Sequence, residues 1–306
     1  MNYFLKITFR NLLRHRFSTI INLIGLTTGL ACAFFIFLWV GDELSVNKFH
    51  EKDDRLFRVM EIQRWGGEVY AANSTPGILA ESLKQDFPEF EYTATTTWIN
   101  KELLSYEDIS YKEDGYHVGE DYFNIFSYPL LAGTADEVLK DKSSIVISRD
   151  LAKKFFGGVE ESVGKTLKYD NDASFQVSGV FENIPFNSTY RFDFVLPFED
   201  YKEDNDWVKE WGNNGPHTFA ILKEGADPTE VSAKIKDYIK EKNKEYESRI
   251  DLFLKKILRT VPVWKVYQRG ARWWTHRVCQ TFYHHCLVYP GHCLHKLHEP
   301  FDCKSF

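Results

Sequence analysis

The sequence predicts an α+β fold: a membrane anchor followed by a mixed α/β extracytoplasmic domain. Two observations carry this reading. No charged residue occurs in the 25 positions between Arg16 and Asp42. Beyond that gap, runs rich in β-branched and aromatic residues alternate with capped helical segments as far as about residue 244. The composition also changes along the chain. Lys6, Arg10, Arg14 and Arg16 precede the gap with no acid among them. The stretch from Asp42 to about Ile250 is acidic overall, and His, Cys and Trp crowd the last fifty residues. The net charge of −6 does not suggest a nucleic-acid partner.

Residues 1–16 are expected to form a basic amphipathic helix on the cytoplasmic side. Phe4, Leu5, Ile7, Phe9, Leu12 and Leu13 fall roughly on one face and the basic side chains on the other, the pattern of a helix lying in the membrane interface. Residues 17–41 are expected to cross the bilayer, which takes about 20 residues of helix. The basic side precedes the span and Asp42 and Glu43 follow it, so the positive-inside rule places residue 42 onward outside the cytoplasm. Lys6, Arg10, Arg14 and Arg16 are thus the candidate topology residues, and lipid is the first expected partner. Gly25 and Gly29 form a small-xxx-small step that would let another helix approach. A cleaved signal peptide is the competing reading, but its apolar core runs only about 7–15 residues.

Residues 42–256 read as the extracytoplasmic domain. Arg55–Ile62 is a strand ending at Trp65-Gly66-Gly67. Thr75-Pro76 opens a helix over Gly77–Asp86. Short strands follow at Tyr92–Trp98, Leu103–Tyr106 and Tyr116–Val118, then an aromatic-rich helix at Glu120–Phe126. Ser143–Ile147 is a buried strand. Ser148 caps the next helix, Arg149–Phe156, which stops at Gly157-Gly158. Strands at Thr166–Tyr169, Phe175–Phe181, Tyr190–Leu196 and Thr218–Leu222 lead to Asp227-Pro228, where a helix starts and runs to about Lys244.

The motifs of chemistry are missing or misplaced. Gly164-Lys165-Thr166 is a near-miss for a phosphate loop, which needs a glycine five positions before the second one; that position is Val159. No HExxH, GxSxG or CxxC pattern occurs, and His50, His117 and His217 show no ligand spacing. Asn73 and Asn187 begin N-x-T sequons, which matter only in a host that glycosylates. No catalytic, cofactor-binding or metal-binding residue is assigned.

The tail, residues 257–306, is expected to be disordered and aberrant. It holds Cys279, Cys286, Cys293 and Cys303 with His276, His284, His285, His292, His295 and His298, but not at the short spacings of zinc ribbons or fingers. A lost reading frame is the alternative. Shifted by one base from Lys255-Lys256-Ile257, the degenerate codons can be read with about 15 consecutive apolar residues, as in a second span. The chain is then a truncated product.

Several pieces together resemble one family. NYFLKITFRNLLRHRFSTIINLIGLTTGL looks like a first elbow and span. It is followed by SVNKFHEKDDRLFRV, TPGILAESLKQDFPEFE, DYFNIFSYPLLAGT, IVISRDLAKKFFG, SVGKTL and FQVSGVFENIPFNSTYRFDFVLPF. In order and spacing, residues 1 to about 256 resemble a bacterial ABC-transporter permease of the MacB/FtsX-like class with its periplasmic core domain. The resemblance implies a permease subunit of the bacterial inner membrane that is not an enzyme. It implies a separate ABC ATPase subunit, a second permease copy as a further partner, and motion of a periplasmic domain for efflux, lipoprotein release or envelope work. It also makes Gly164-Lys165-Thr166 a turn of the domain. A single-pass sensor or binding protein is the alternative function, and an anchored envelope enzyme a third.

Overall fold

The computed structural model describes residues 3, 7, 10, 13–45, 50–185, 188–243 and 249–257. They belong to one compact unit, Met1–Arg259. The second unit, Thr260–Phe306, lies outside the described residues, and with it the zinc and lost-frame readings of the tail.

Helix α1 runs Arg16–Ser45, 30 residues, and its apolar part Arg16–Asp42 is long enough to cross a membrane. At about 1.5 Å per residue the helix reaches about 45 Å. None of its most apolar window is buried by the rest of the chain. Thr27 returns its hydroxyl to the Leu23 carbonyl at 2.7 Å, so this donor is not left bare in an apolar setting. Before α1, Leu13 and Arg14 are helical and His15 is a turn. Of the apolar face expected for the first helix, Ile7 and Leu13 are described and both are exposed.

The rest of the described chain builds twelve strands and six further helices in one sheet system. The strands are β1 Leu56–Trp65, β2 Glu68–Ala72, β3 Phe90–Thr96, β4 Asn100–Tyr106, β5 Ile109–Val118 and β6 Leu130–Ala132. They continue with β7 Ser144–Ser148, β8 Thr166–Tyr169, β9 Ala173–Phe181, β10 Phe194–Pro197, β11 His217–Leu222 and β12 Ile250–Lys256. The helices are α2 Leu79–Asp86, α3 Tyr122–Ile125, α4 Arg149–Phe156, α5 Phe198–Asp204, α6 Pro228–Ile235 and α7 Tyr238–Lys242.

The strand order β10-β7-β9-β8-β4-β5-β3-β11-β1-β12 contains a closed ring, because β10 also pairs with β5 in parallel. Six strands therefore close on themselves, which removes two edges. Leu104, Ile145, Ile147, Leu167, Phe175, Val177 and Phe194 of the ring pack with Leu151 and Phe155 of α4 in one apolar cluster. The other half, β3-β11-β1-β12 with β2 beside β1, stays open. Leu79 and Leu83 of α2, Val231 and Ile235 of α6, and Tyr238 and Ile239 of α7 pack on it with Phe57, Val59, Ala220, Leu222 and Leu252. A third cluster, rich in aromatics, joins the halves around α3 and Phe181, Phe192 and Phe219.

Two strands are apolar without alternation because both their faces are covered. In β7, Ile145 and Ile147 face the ring cluster while Val146 belongs to the aromatic one. In β11, Ala220 and Leu222 face the open-sheet cluster while Phe219 and Ile221 face the aromatic one. Phe181 and Phe219 are almost fully buried, and truncating such a ring to alanine costs about 3–5 kcal/mol.

The structure corrects several expected bounds. Helix α2 begins at Leu79 rather than Gly77, because Pro76 is bridged to Asn214 and its carbonyl takes the Leu79 amide at 3.1 Å. Strand β5 starts at Ile109, seven residues before the expected Tyr116, since its first part, as far as Gly115, forms a hairpin with β4. The strand expected at Tyr190–Leu196 is Phe194–Pro197. The helix expected from Asp227 to Lys244 breaks between Ile235 and Tyr238. There the Lys236 carbonyl accepts the Leu252 amide at 2.8 Å and is lost to the helix. Gly164-Lys165-Thr166 is the turn into β8, with Gly164 at φ +79°. Strand β12 pairs with β1 from Ile250 to Lys256, and Ile257 still donates to the Leu56 carbonyl at 3.2 Å.

Candidate functional site

The residues proposed for topology and packing sit as follows. Arg10, Arg14 and Arg16 are exposed, and Lys6 lies outside the described residues. Gly25 and Gly29 are exposed on α1, and a Cβ added at either would meet nothing within 4 Å. The described ones, Arg10, Arg14, Arg16, Gly25 and Gly29, are all exposed on the N-terminal segment.

Within that domain the seam between ring and open sheet holds a cavity that sequence patterning did not single out. β3 ends at Thr96, its single paired residue with β5 being opposite Val118. The chain crosses through Thr97, Trp98 and Ile99 to enter β4. This crossing is pinned by Thr97: its amide donates to the His117 carbonyl and its hydroxyl accepts the His117 amide, both at 2.9 Å. Trp98 is left 46% exposed over the gap. Beneath it lies a cavity of about 250 Å³, walled by Tyr116, Tyr122, Phe126, Tyr190, His217 and Phe219. A smaller one of about 80 Å³ lies against the same Trp98 and Tyr116 and reaches Glu102 and His117.

Aromatic rings of three elements and two connecting loops set the larger cavity's walls. Tyr122 and Phe126 project from α3 and its end with ring centroids 4.8 Å apart. Phe126 meets Phe219 of β11 edge-on at 5.1 Å, and Tyr190 meets Phe219 at 6.4 Å. Tyr116 of β5 and Tyr122 bond through their hydroxyls. Burial holds both phenols well above their usual pKa, so they stay neutral. Arg58 of β1 donates to the Tyr190 hydroxyl and lies 4.8 Å over the Phe219 ring.

His217 completes the wall. Its Nδ1 lies 2.8 Å from the Asn73 carbonyl, so Nδ1 carries the proton and donates. Burial, and then the Arg58 charge, lower its pKa, which keeps the ring neutral. Trp98 stands across it with centroids 6.5 Å apart. On the outer side Gly215 has no room for a side chain: a Cβ there would come within 2.9 Å of the Trp98 ring and closer still to Trp207.

The lining of the cavity holds no Ser, Cys, Lys, Asp or Glu. Among the described residues no three His, Cys, Asp or Glu side chains gather as metal ligands. The wall residues span 116 to 219 in sequence and come together only through long-range strand pairing, so no local motif announces them. The one sequence signal was the abundance of aromatics at Tyr116, Tyr122 and Phe126.

Comparison with known proteins gives the family. The family described as the MacB-like periplasmic core domain matches residues 19–238, from within α1 to the start of α7. The fold is that of a domain of a candidate permease protein from Porphyromonas gingivalis, with a TM-score of 0.58 and 23% identity, covering 70% of this chain and 95% of that one. The periplasmic region of MacB from Actinobacillus actinomycetemcomitans aligns at a TM-score of 0.45 and 18% identity, covering 65% and 88%. The extracellular domain of the noncanonic ABC-type transporter YknZ from Gram-positive bacteria aligns at 0.45 and 13%, covering 65% and 99%. No curated protein matches. The family is one of ABC-transporter permease components, which are not enzymes in the ordinary sense, and an apolar N-terminal helix ahead of such a domain fits a membrane-anchored protein. On a match that covers most of its length, this chain belongs to the MacB-like periplasmic core domain family.

Proposed function

We propose that this chain is the permease side of an ABC transporter, in which ATP hydrolysis by a separate cytoplasmic subunit moves the periplasmic domain. The single observation that carries the reading is the continuous family match over residues 19–238, which joins the apolar helix to the domain. Charge supports the orientation. Arg10, Arg14 and Arg16 precede the span and Asp42 follows it, so the N-terminus is cytoplasmic and residue 42 onward periplasmic. Gly25 and Gly29 leave a face of α1 on which a further helix, from a second permease copy or another span, fits closely. The tail from Ile257 reads as a lost frame ahead of such a second span. Sequencing the gene past the Lys255 codon checks this: the shifted frame must be open and encode an apolar helix.

The transport reading is tested by purifying the chain from native membranes in mild detergent. A nucleotide-binding ABC subunit should co-purify and hydrolyse ATP in a vanadate-sensitive way. A chain that purifies alone, or with a signalling partner instead, contradicts it and favours the single-pass sensor.

A further inference from the structure

The cavity beneath Trp98 has the properties of a ligand site. We propose that it binds a compact, neutral aromatic molecule carrying one hydrogen-bond donor. The site is a property of the folded domain, whether or not the chain couples to an ATPase.

Size sets the first limit. At about 250 Å³ the cavity is below the range of roughly 300–1,000 Å³ that holds drug-sized ligands, which leaves room for one or two fused rings. Shape and chemistry set the second. The walls are the rings of Trp98, Tyr116, Tyr122, Phe126, Tyr190 and Phe219. They offer both faces and edges to an aromatic guest.

Charge sets the third limit. The Arg58 guanidinium is held against two wall residues, Tyr190 and Phe219, which disfavours a cationic guest. No cationic side chain lines the cavity itself. A buried anion would meet Arg58 only from behind the Tyr190 and Phe219 rings, with no charged side chain in the lining to pair with it directly, and that is costly. A neutral guest remains.

The donor follows from the His217 tautomer. With Nδ1–H committed to the Asn73 carbonyl, Nε2 of a neutral imidazole is an acceptor. A guest with an N–H or O–H would satisfy it. A guest of the same shape without the donor would leave it unsatisfied, a loss of about tenfold in affinity.

Indole and its isostere benzofuran, which lacks the N–H, separate these elements. The full chain in lipid nanodiscs would be titrated with each by calorimetry. Indole should bind saturably at one site, and benzofuran about tenfold more weakly. Trp98→Ala should weaken indole at least tenfold with little change in melting, because Trp98 is half exposed and outside the core clusters. His217→Leu should bring indole down to the affinity of benzofuran and leave benzofuran unchanged. Non-saturable uptake of indole by the wild type, or equal binding by Trp98→Ala, would overturn the site. Equal affinity of the wild type for indole and benzofuran would overturn the donor. None of these readouts depends on an ATPase, so they stand or fall separately from the transport reading.

Discussion

Two buried groups give the domain opposed responses to pH. Glu61 of β1 is fully buried, and its Oε2 accepts from Gln63 at 2.7 Å and Asn214 at 2.5 Å. Its Oε1 has no partner. Burial raises its pKa to about 7. Protonation is then favoured by folding, so stability is full below the unfolded value of 4.5 and is lost as pH rises to about 7. His50 is buried against Phe126 and Tyr128, its Nδ1 accepting the Ser127 amide at 3.2 Å. Burial lowers its pKa to about 4. Its neutral form is favoured, so stability is full above 6.5 and is lost as pH falls to about 4. Each shift corresponds to about 3 kcal/mol, and the two slopes offset one another between roughly pH 4.5 and 6.5. Glu61→Gln should uncover the histidine. Urea melts of this variant should lose about 3 kcal/mol between pH 6.5 and 4, where the wild type stays nearly flat. A variant with the wild-type profile would mean that Glu61 does not titrate in this range. None of this was legible in the sequence, because a glutamate in a strand reads as surface until its neighbours close over it.

At the scale of elements, the segments read correctly were those whose signals are local. Ser148 caps α4 by accepting the Leu151 amide at 3.2 Å, and Gly157 ends it in the left-handed region at φ +89°. Both were expected from residue type and position alone. Ser148→Ala should cost about 1 kcal/mol through the lost cap. Gly157→Ala should cost a similar amount, about 1 kcal/mol, through strain at positive φ. Chemical denaturation checks both, and a neutral result at both would mean that tertiary packing alone holds α4. The elements misread were those governed by distant partners. The break between α6 and α7 depends on Leu252, and the late start of α2 on Asn214. Strands β2, β6 and β12 were not expected at all, since each is defined by pairing with β1 or β9 rather than by its own pattern. The cavity at Trp98 escaped for the same reason. Its walls are assembled by β3, β5, β11 and α3 from separate stretches of chain.

At the scale of the whole molecule, charge and hydropathy carried most of the information. The uncharged gap became helix α1 over Arg16–Ser45, and the alternating body became a folded domain with its own cores. Closure of six strands into a ring and its junction with an open sheet were beyond reach, because ring closure rests on the four-residue β10–β5 pairing. The central claim is a domain exported on an anchor whose basic end stays in the cytoplasm. Alkaline phosphatase, active only outside the cytoplasm, and a cytoplasm-only fluorescent reporter can each be fused after Ile257. The account predicts active phosphatase and a dark fluorescent fusion, with Arg10→Glu, Arg14→Glu and Arg16→Glu together abolishing the phosphatase signal. A bright fluorescent fusion on the wild-type chain, or phosphatase activity unchanged by the three substitutions, would contradict it.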